Sequence, residues 1–226
     1  PAQRLLPRLL PLRLARLPYW DTDEKGGRLN LGIWDVMIAI VQRRDRSVCA
    51  AHLTYLAPGG AGKAEIIHPH TGEVLANRKM RGPTWGGAVR LAPMAATLGE
   101  GEGIESCLSV QQETGLPCWA ALSLGNLAGA GRGRGAPHPT KTRVLRDGRA
   151  VPTTLPSRVP DPQRPGFLPP DGVQESVLLA ERGNGDDAAY ACLLDCAVRR
   201  RQAAGLRVRV AWPEHGDFND VLRGED

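Results

Sequence analysis

The sequence predicts an α/β protein in which a parallel sheet flanked by helices follows a small mixed α+β unit. From Thr97 onward, strand-length apolar runs alternate with helical patterns in the order strand, helix, strand, strand, helix, strand. That order builds a parallel sheet with helices on its faces. Before Pro93 the apolar runs are short and β-like, as in a small separate unit. The expected division is therefore residues 1–93 and 94–226.

In the first region, Ile33 to Gln42 and Ser47 to Leu56 read as strands joined by a polar turn at Arg43 to Arg46. A Gly-rich loop follows at Gly59 to Gly62. A basic run at Arg78, Lys79 and Arg81 precedes a Gly86-Gly87 turn and a short strand, Ala88 to Leu91. The opening stretch, Pro1 to Leu17, is rich in Arg and Leu and lacks acids, like a transit peptide, yet Pro7 and Pro11 interrupt any helix there. The chain opens on Pro rather than Met, as a fragment of a longer protein would.

In the second region, Thr97 to Gly101 reads as a strand and Ile104 to Thr114 as a helix, with Ile104 and Leu108 at helical spacing and Gly115 as its stop. Pro117 to Leu122 and Ser176 to Ala180 are strand-length apolar runs. Asp186 to Ala204 is a long helical pattern ending at Gly205, and Leu206 to Trp212 is the final strand. Between them, Gly129 to Gly172 holds many Gly, Pro and Arg residues with little periodicity, and is expected to be a mostly irregular, exposed insertion.

Apolar residues make up 42% and charged residues 23% of the 226, as in ordinary globular proteins. Aromatics at 4% argue against a single-strand binder built on many stacking rings. The net charge of +5 suits a polyanionic partner and equally a solvated surface. No apolar run reaches the roughly 20 residues that span a membrane. Five cysteines without two-residue zinc spacing read as free thiols, and with no signal peptide in view the expected compartment is a reducing cytoplasm.

In open α/β sheets ligands gather beyond the carboxyl ends of the strands. That rule selects Glu100, Glu102 and Glu105 after the first strand, Glu181, Asp186 and Asp187 after the third, and Asp217 and Asp220 after the last. Clustered carboxylates attract a hard cation such as Mg²⁺, which leaves positions open for water and phosphates and assists phosphoryl transfer. Acids at strand ends are also ordinary first-turn residues of helices.

Gly101-Glu102-Gly103-Ile104-Glu105, followed by Cys107-Leu108-Ser109, resembles the first motif of Toprim domains. Ala121 to Asn126 resembles the strand and turn that follow it. Val177 to Glu181 resembles the strand that delivers the Asp-x-Asp motif, and Asp217-Phe218-Asn219-Asp220-Val221-Leu222 resembles the closing acidic motif. Upstream, Leu17 to Trp20, His52 to Leu56 and Lys79 to Gly82 resemble phage or plasmid Toprim proteins of the DnaG-primase kind. The resemblance implies a Toprim-type parallel sheet and metal-dependent nucleotidyl transfer on a single-stranded DNA template with Mg²⁺ or Mn²⁺. It implies Glu102 and Glu105 as catalytic acids, with Glu102, Glu181, Asp186 and Asp217 as the metal set. A replicative helicase is a partner such proteins take. The third motif departs from the family: the acid expected two residues beyond Glu181 is Gly183, although Asp186 or Asp187 lies within reach of a flexible loop. A Toprim nuclease and a nucleic-acid-binding module without catalysis remain the alternatives.

Ala57 to Ala64 fails as a P-loop, because its first Gly is Ala57 and no hydroxyl follows Lys63. Lys63, Arg78 and Lys79 read either as a basic surface for template or nucleotides or as a solvated face. Arg199, Arg200 and Arg201 fit the negative end of a helix dipole. His52, His68, His70 and His215 lack ligand spacing, and Cys107 has no paired His, so it reads as packing.

Overall fold

The computed structural model describes residues 11–23, 25–183 and 185–224. Part of the Arg- and Leu-rich opening stretch, up to Leu10, and Asn184 lie outside them. The described residues form two compact units, those up to Val41 with 48–83, and 42–47 with those from Thr84 onward.

Among the described residues, six strands build the first unit: β1 (Leu12–Thr22), β2 (Arg28–Gln42), β3 (Val48–Leu56), β4 (Ile66–Ile67), β5 (Val74–Leu75) and β6 (Arg78–Arg81). The main sheet runs β1-β2-β3-β6, and β4 pairs with β5. Pro18 sits on the edge strand β1, where the register shifts between Pro18 and Trp20, a position that tolerates a missing donor. Tyr19, Val36, Leu53, Tyr55, Ala64 and Ile66 form the core, and the Tyr19 and Tyr55 rings meet edge to face at 4.8 Å. Among the described residues this unit holds no α-helix, only a 3-10 turn at Pro58–Gly60, so the expected mixed α+β unit is corrected to a β unit. Residues 42–47, and those from Thr84 onward, pack with the second unit.

The second unit contains β7 (Val89–Arg90), β8 (Thr97–Gly101), α1 (Ile104–Thr114), β9 (Cys118–Ala120), α2 (Leu124–Ala128), β10 (Pro137–Val144), β11 (Ala150–Thr154), β12 (Glu175–Leu179), α3 (Asp187–Ala203), β13 (Arg207–Ala211) and α4 (Phe218–Arg223). Its sheet has the order β13-β12-β8-β9-β7. The first four strands are parallel, and β7, which the sequence assigned to the first region, is the antiparallel edge. The chain leaves β8 in one direction, through α1 to β9, and leaves β12 in the other, through α3 to β13. Right-handed crossovers then place α1 and α3 on opposite faces. The direction reverses between β8 and β12, where an α/β sheet opens a crevice at its carboxyl edge. Leu98, Trp119, Leu127, Phe167, Leu178 and Leu194 lead the core.

Gly115 stops α1 in the left-handed conformation (φ 72°), donating its N–H to Gln111 O, a turn that glycine adopts without a Cβ penalty. The segment 129–172 is more ordered than expected. β10 and β11 form an antiparallel hairpin closed at Asp147-Gly148, where Gly148 N donates to Leu145 O at 3.0 Å. Phe167 is buried in the core. The buried Arg200 side chain donates to Ala128 O (2.7 Å), Ala130 O (2.7 Å) and Asp161 O (2.9 Å). Among the described residues no helix is long and apolar enough to cross a membrane.

Candidate active site

Glu102 and Glu181 follow the carboxyl ends of the adjacent strands β8 and β12, on the two sides of the crevice. A Cβ on Gly101 would lie 2.8 Å from the Cys107 sulfur, so the glycine before Glu102 is dictated by close packing of strand and helix. Glu102 Oε2 accepts the Leu124 N–H at 2.7 Å, at the start of α2. Its Oε1 is buried and has no hydrogen-bond partner among the described residues. Burial, and then repulsion from Glu181, push the Glu102 carboxyl up from 4.5 to about 7, against the Leu124 and Tyr190 hydrogen bonds. A carboxyl poised there carries its proton part of the time at neutral pH, which suits a general acid or base.

Tyr190, on α3, bridges the pair. Its hydroxyl accepts the Glu181 N–H at 2.7 Å, and burial raises its own pKa, with both carboxylates adding to the effect. The next residue, Arg182, fixes the loop: its N–H donates to Gly216 O at 2.7 Å and its Nε to Pro213 O at 2.8 Å. Its guanidinium lies 5.2 Å from the Trp212 ring centre.

The other acids are placed differently. Glu105 stands in the first turn of α1. Asp186 caps α3, accepting the Ala189 N–H at 2.9 Å. It also binds Lys141 Nζ at 2.7 Å and His138 Nε2 at 3.0 Å, and these hydrogen bonds, that of Lys141 foremost, hold its carboxyl well below the usual range. Asp217 caps α4 in a reciprocal box with Asp220: Asp217 Oδ1 accepts from Asn219 N (2.7 Å) and Asp220 N (3.0 Å). Among the described residues, no three His, Cys, Asp or Glu side chains come together as a metal cluster. Asp186 and Asp217, both expected in the metal set, are the caps of α3 and α4, and Glu102 and Glu181 stand at neighbouring strand ends.

Glu100 does not face the crevice either. It is fully buried and ion-paired to the equally buried Arg201, whose Nε lies 2.9 Å from Glu100 Oε2, and its Oε1 accepts the Ser176 hydroxyl. Arg200 and Arg201, read from the sequence as dipole cations, are structural arginines of the core. Gly183 has a φ of +76° and open space where a Cβ would point. In the first unit, Lys63 and Arg78 are exposed. Lys79 lies 3.5 Å from the Tyr19 ring centre and donates to Trp20 O, so its ammonium, lowered in pKa by burial, has a packing role.

Sequence reasoning missed Tyr190, His138 and Lys141. Tyr190 lies one helical turn after Asp186, a spacing that places it over the strand end. Nothing in sequence pairs His138 and Lys141 with an acid more than forty residues away.

Fold and site together define an α/β domain with paired carboxylates at the reversal point of its sheet. A family described as a domain of unknown function (DUF7146) matches residues 2–91. No curated protein matches. Among solved structures, the chain is similar to the primase fragment of the bacteriophage T7 primase-helicase, with 12% identity and a TM-score of 0.42 over 85% of this chain and 60% of that one. It is also similar to a DNA primase domain from Pseudomonas aeruginosa, with 12% identity and a TM-score of 0.43 over 91% of this chain and 52% of that one. The chain thus spans less than two thirds of either structure.

Proposed function

We propose that this chain is a Toprim-type protein of the DnaG-primase kind, joining nucleotides on a single-stranded DNA template with Mg²⁺ or Mn²⁺. The observation that carries this reading is the Glu102–Glu181 pair at the crevice, with one Glu102 oxygen buried and unpartnered. A carboxyl whose ionisation is opposed by burial and by the neighbouring Glu181 fits, with that neighbour, one divalent cation. Mg²⁺ is commonly held by one or two carboxylates, with waters and phosphates filling the rest. Glu102 and Glu181 would hold it, and it would supply neutralisation of phosphate charge.

The protein's own groups do the remainder. Leu124 N–H fixes the orientation of Glu102. Tyr190 fixes the Glu181 backbone and tempers the Glu102 pKa. Glu102 exchanges a proton with a hydroxyl presented at the crevice, and Glu105, in the first turn of α1, is a second acid for that step. Lys63 and Arg78 would bind template or nucleotides by charge. The five cysteines are free, in keeping with work in a reducing cytoplasm, and a replicative helicase would be a natural partner.

A second reading, binding without catalysis, is favoured by Gly183, which supplies no third carboxylate. Incubation with single-stranded DNA, labelled ribonucleotides and Mg²⁺ or Mn²⁺ tests both. Labelled primers lost on Glu102→Gln support synthesis. Shortened DNA supports a nuclease using the same pair. Binding with neither product supports the second reading.

A further inference from the structure

The segment from Gly129 to Gly172 holds eight basic and three acidic residues, so it carries a net +5, the whole positive excess of the chain. The rest of the protein is charge-balanced. A balanced body with all its excess on one insertion is not the pattern of charge spread for solubility, which is dispersed over the surface.

The placement of these charges is specific. Arg132 and Arg134 lie on the exposed run into β10, Arg143 on β10 and Arg146 at the hairpin turn, all exposed. None of the four has an ion-pair partner among the described residues, whereas Arg149 is paired with Asp147 at 2.8 Å and Arg158 with Asp195 at 3.4 Å. The hairpin is fixed at its base. His138 is buried, and its Nδ1 accepts the backbone N–H groups of Thr140 (3.1 Å) and Lys141 (2.8 Å). Its Nε2 therefore carries the proton and donates to Asp186 at 3.0 Å. Lys141 adds a second bond to Asp186. Asp186 starts the helix whose next turn presents Tyr190 to Glu181. One helical turn thus joins the base of the basic hairpin to the carboxylate pair.

We propose that Arg132, Arg134, Arg143 and Arg146 form a track that grips the phosphate backbone of a DNA strand and leads it to the Glu102–Glu181 crevice. The choice of DNA over another polyanion rests on the nucleotidyl-transfer reading of that crevice. Guanidinium groups bind phosphates through two parallel donors. Thr140, Thr142 and Thr154 of the same hairpin are exposed. The track offers no stacking ring of its own, so it reads backbone charge rather than sequence. The principal template-binding groups are then on the insertion, not Lys63, Arg78 and Lys79.

The test is fluorescence anisotropy of a labelled mixed-sequence single-stranded oligonucleotide across a KCl series. Four phosphate contacts contribute about 3 to the slope of log affinity against log salt. Replacing the four arginines with Gln, which keeps side-chain bulk, should lower the slope by about that amount, with an unchanged thermal melt. Lys63→Gln with Arg78→Gln should change it less. An unchanged slope in the four-fold variant overturns the proposal. So does wild-type protein that ignores the oligonucleotide, or that prefers phosphatidylserine-containing vesicles to it. The two readings fail separately. Hairpin-dependent DNA binding without primer synthesis sinks only the enzymatic reading. Primer synthesis lost on Glu102→Gln, with binding indifferent to the four arginines, sinks only the track.

Discussion

Glu102→Gln should make the protein more stable at alkaline pH and leave it unchanged in acid. The Glu102 carboxyl rises from 4.5 to about 7 on folding, so the folded state holds its proton more tightly than the unfolded chain does. The sign follows: its favourable contribution is complete below about pH 4.5, shrinks as pH rises, and is gone above about pH 7. A shift of that size corresponds to roughly 3 kcal/mol, which solvent reaching the half-buried group reduces to about 1–2 kcal/mol. Gln keeps an oxygen for the Leu124 N–H and loses the repulsion from Glu181. Urea denaturation of wild type and variant at pH 5 and pH 8.5 measures the difference, with Mg²⁺ added in a second series. Mg²⁺ should recover the alkaline loss in wild type and do nothing for the variant. A variant equally or less stable than wild type at pH 8.5 would show that Glu102 is a helix-end residue with an ordinary carboxyl.

Arg201→Met should cost about 3–5 kcal/mol, because it leaves Glu100 charged in the core, and Glu100→Gln should recover part of that in the double variant; urea midpoints check both. Asp186→Asn keeps a helix cap but removes the charge that Lys141 meets, so amide exchange at residues 138–141 should quicken while the α3 amides stay protected. In wild type, the depressed Asp186 carboxyl keeps that attachment as pH falls to its ordinary value of 3.8 and releases it only below, which exchange at stepped pH will show. Gly183→Asp has open space but a left-handed backbone, so it should destabilise by about 1 kcal/mol and tighten Mn²⁺ binding measured by calorimetry; unchanged binding removes that loop from the metal site.

The helix Ile104–Thr114 and the strand Thr97–Gly101 were legible with correct bounds, because apolar spacing and a stopping glycine mark them directly. The pair Glu102 and Glu181 was legible through the strand-end rule. Glu100 was not separable from Glu102, since only the pleat decides that one enters the core while the other clears the strand. Arg201 was misread for the same reason: sequence shows a cation near a helix end and cannot show its burial. The strand Leu12–Thr22 lacks clean alternation and contains Pro18, which an edge strand accommodates. The hairpin in the insertion had a readable signal in Asp147-Gly148, a favoured tight-turn pair, hidden by the surrounding prolines.

The helix Asp187–Ala203 is tied at its start through Asp186 and at its end through Arg200 and Arg201, with Tyr190 between. Its length is therefore a gauge. Removing one residue between Tyr190 and Arg200 would turn one end against the other by about 100°, and the chain would have to give up either the Tyr190 contact with Glu181 or the buried Glu100 pair. Substitutions at its exposed positions, Ala191 or Gln202, cause no such conflict. Related sequences that keep this site should therefore vary freely in residue type along the outer face of this helix, yet show neither insertions nor deletions within it.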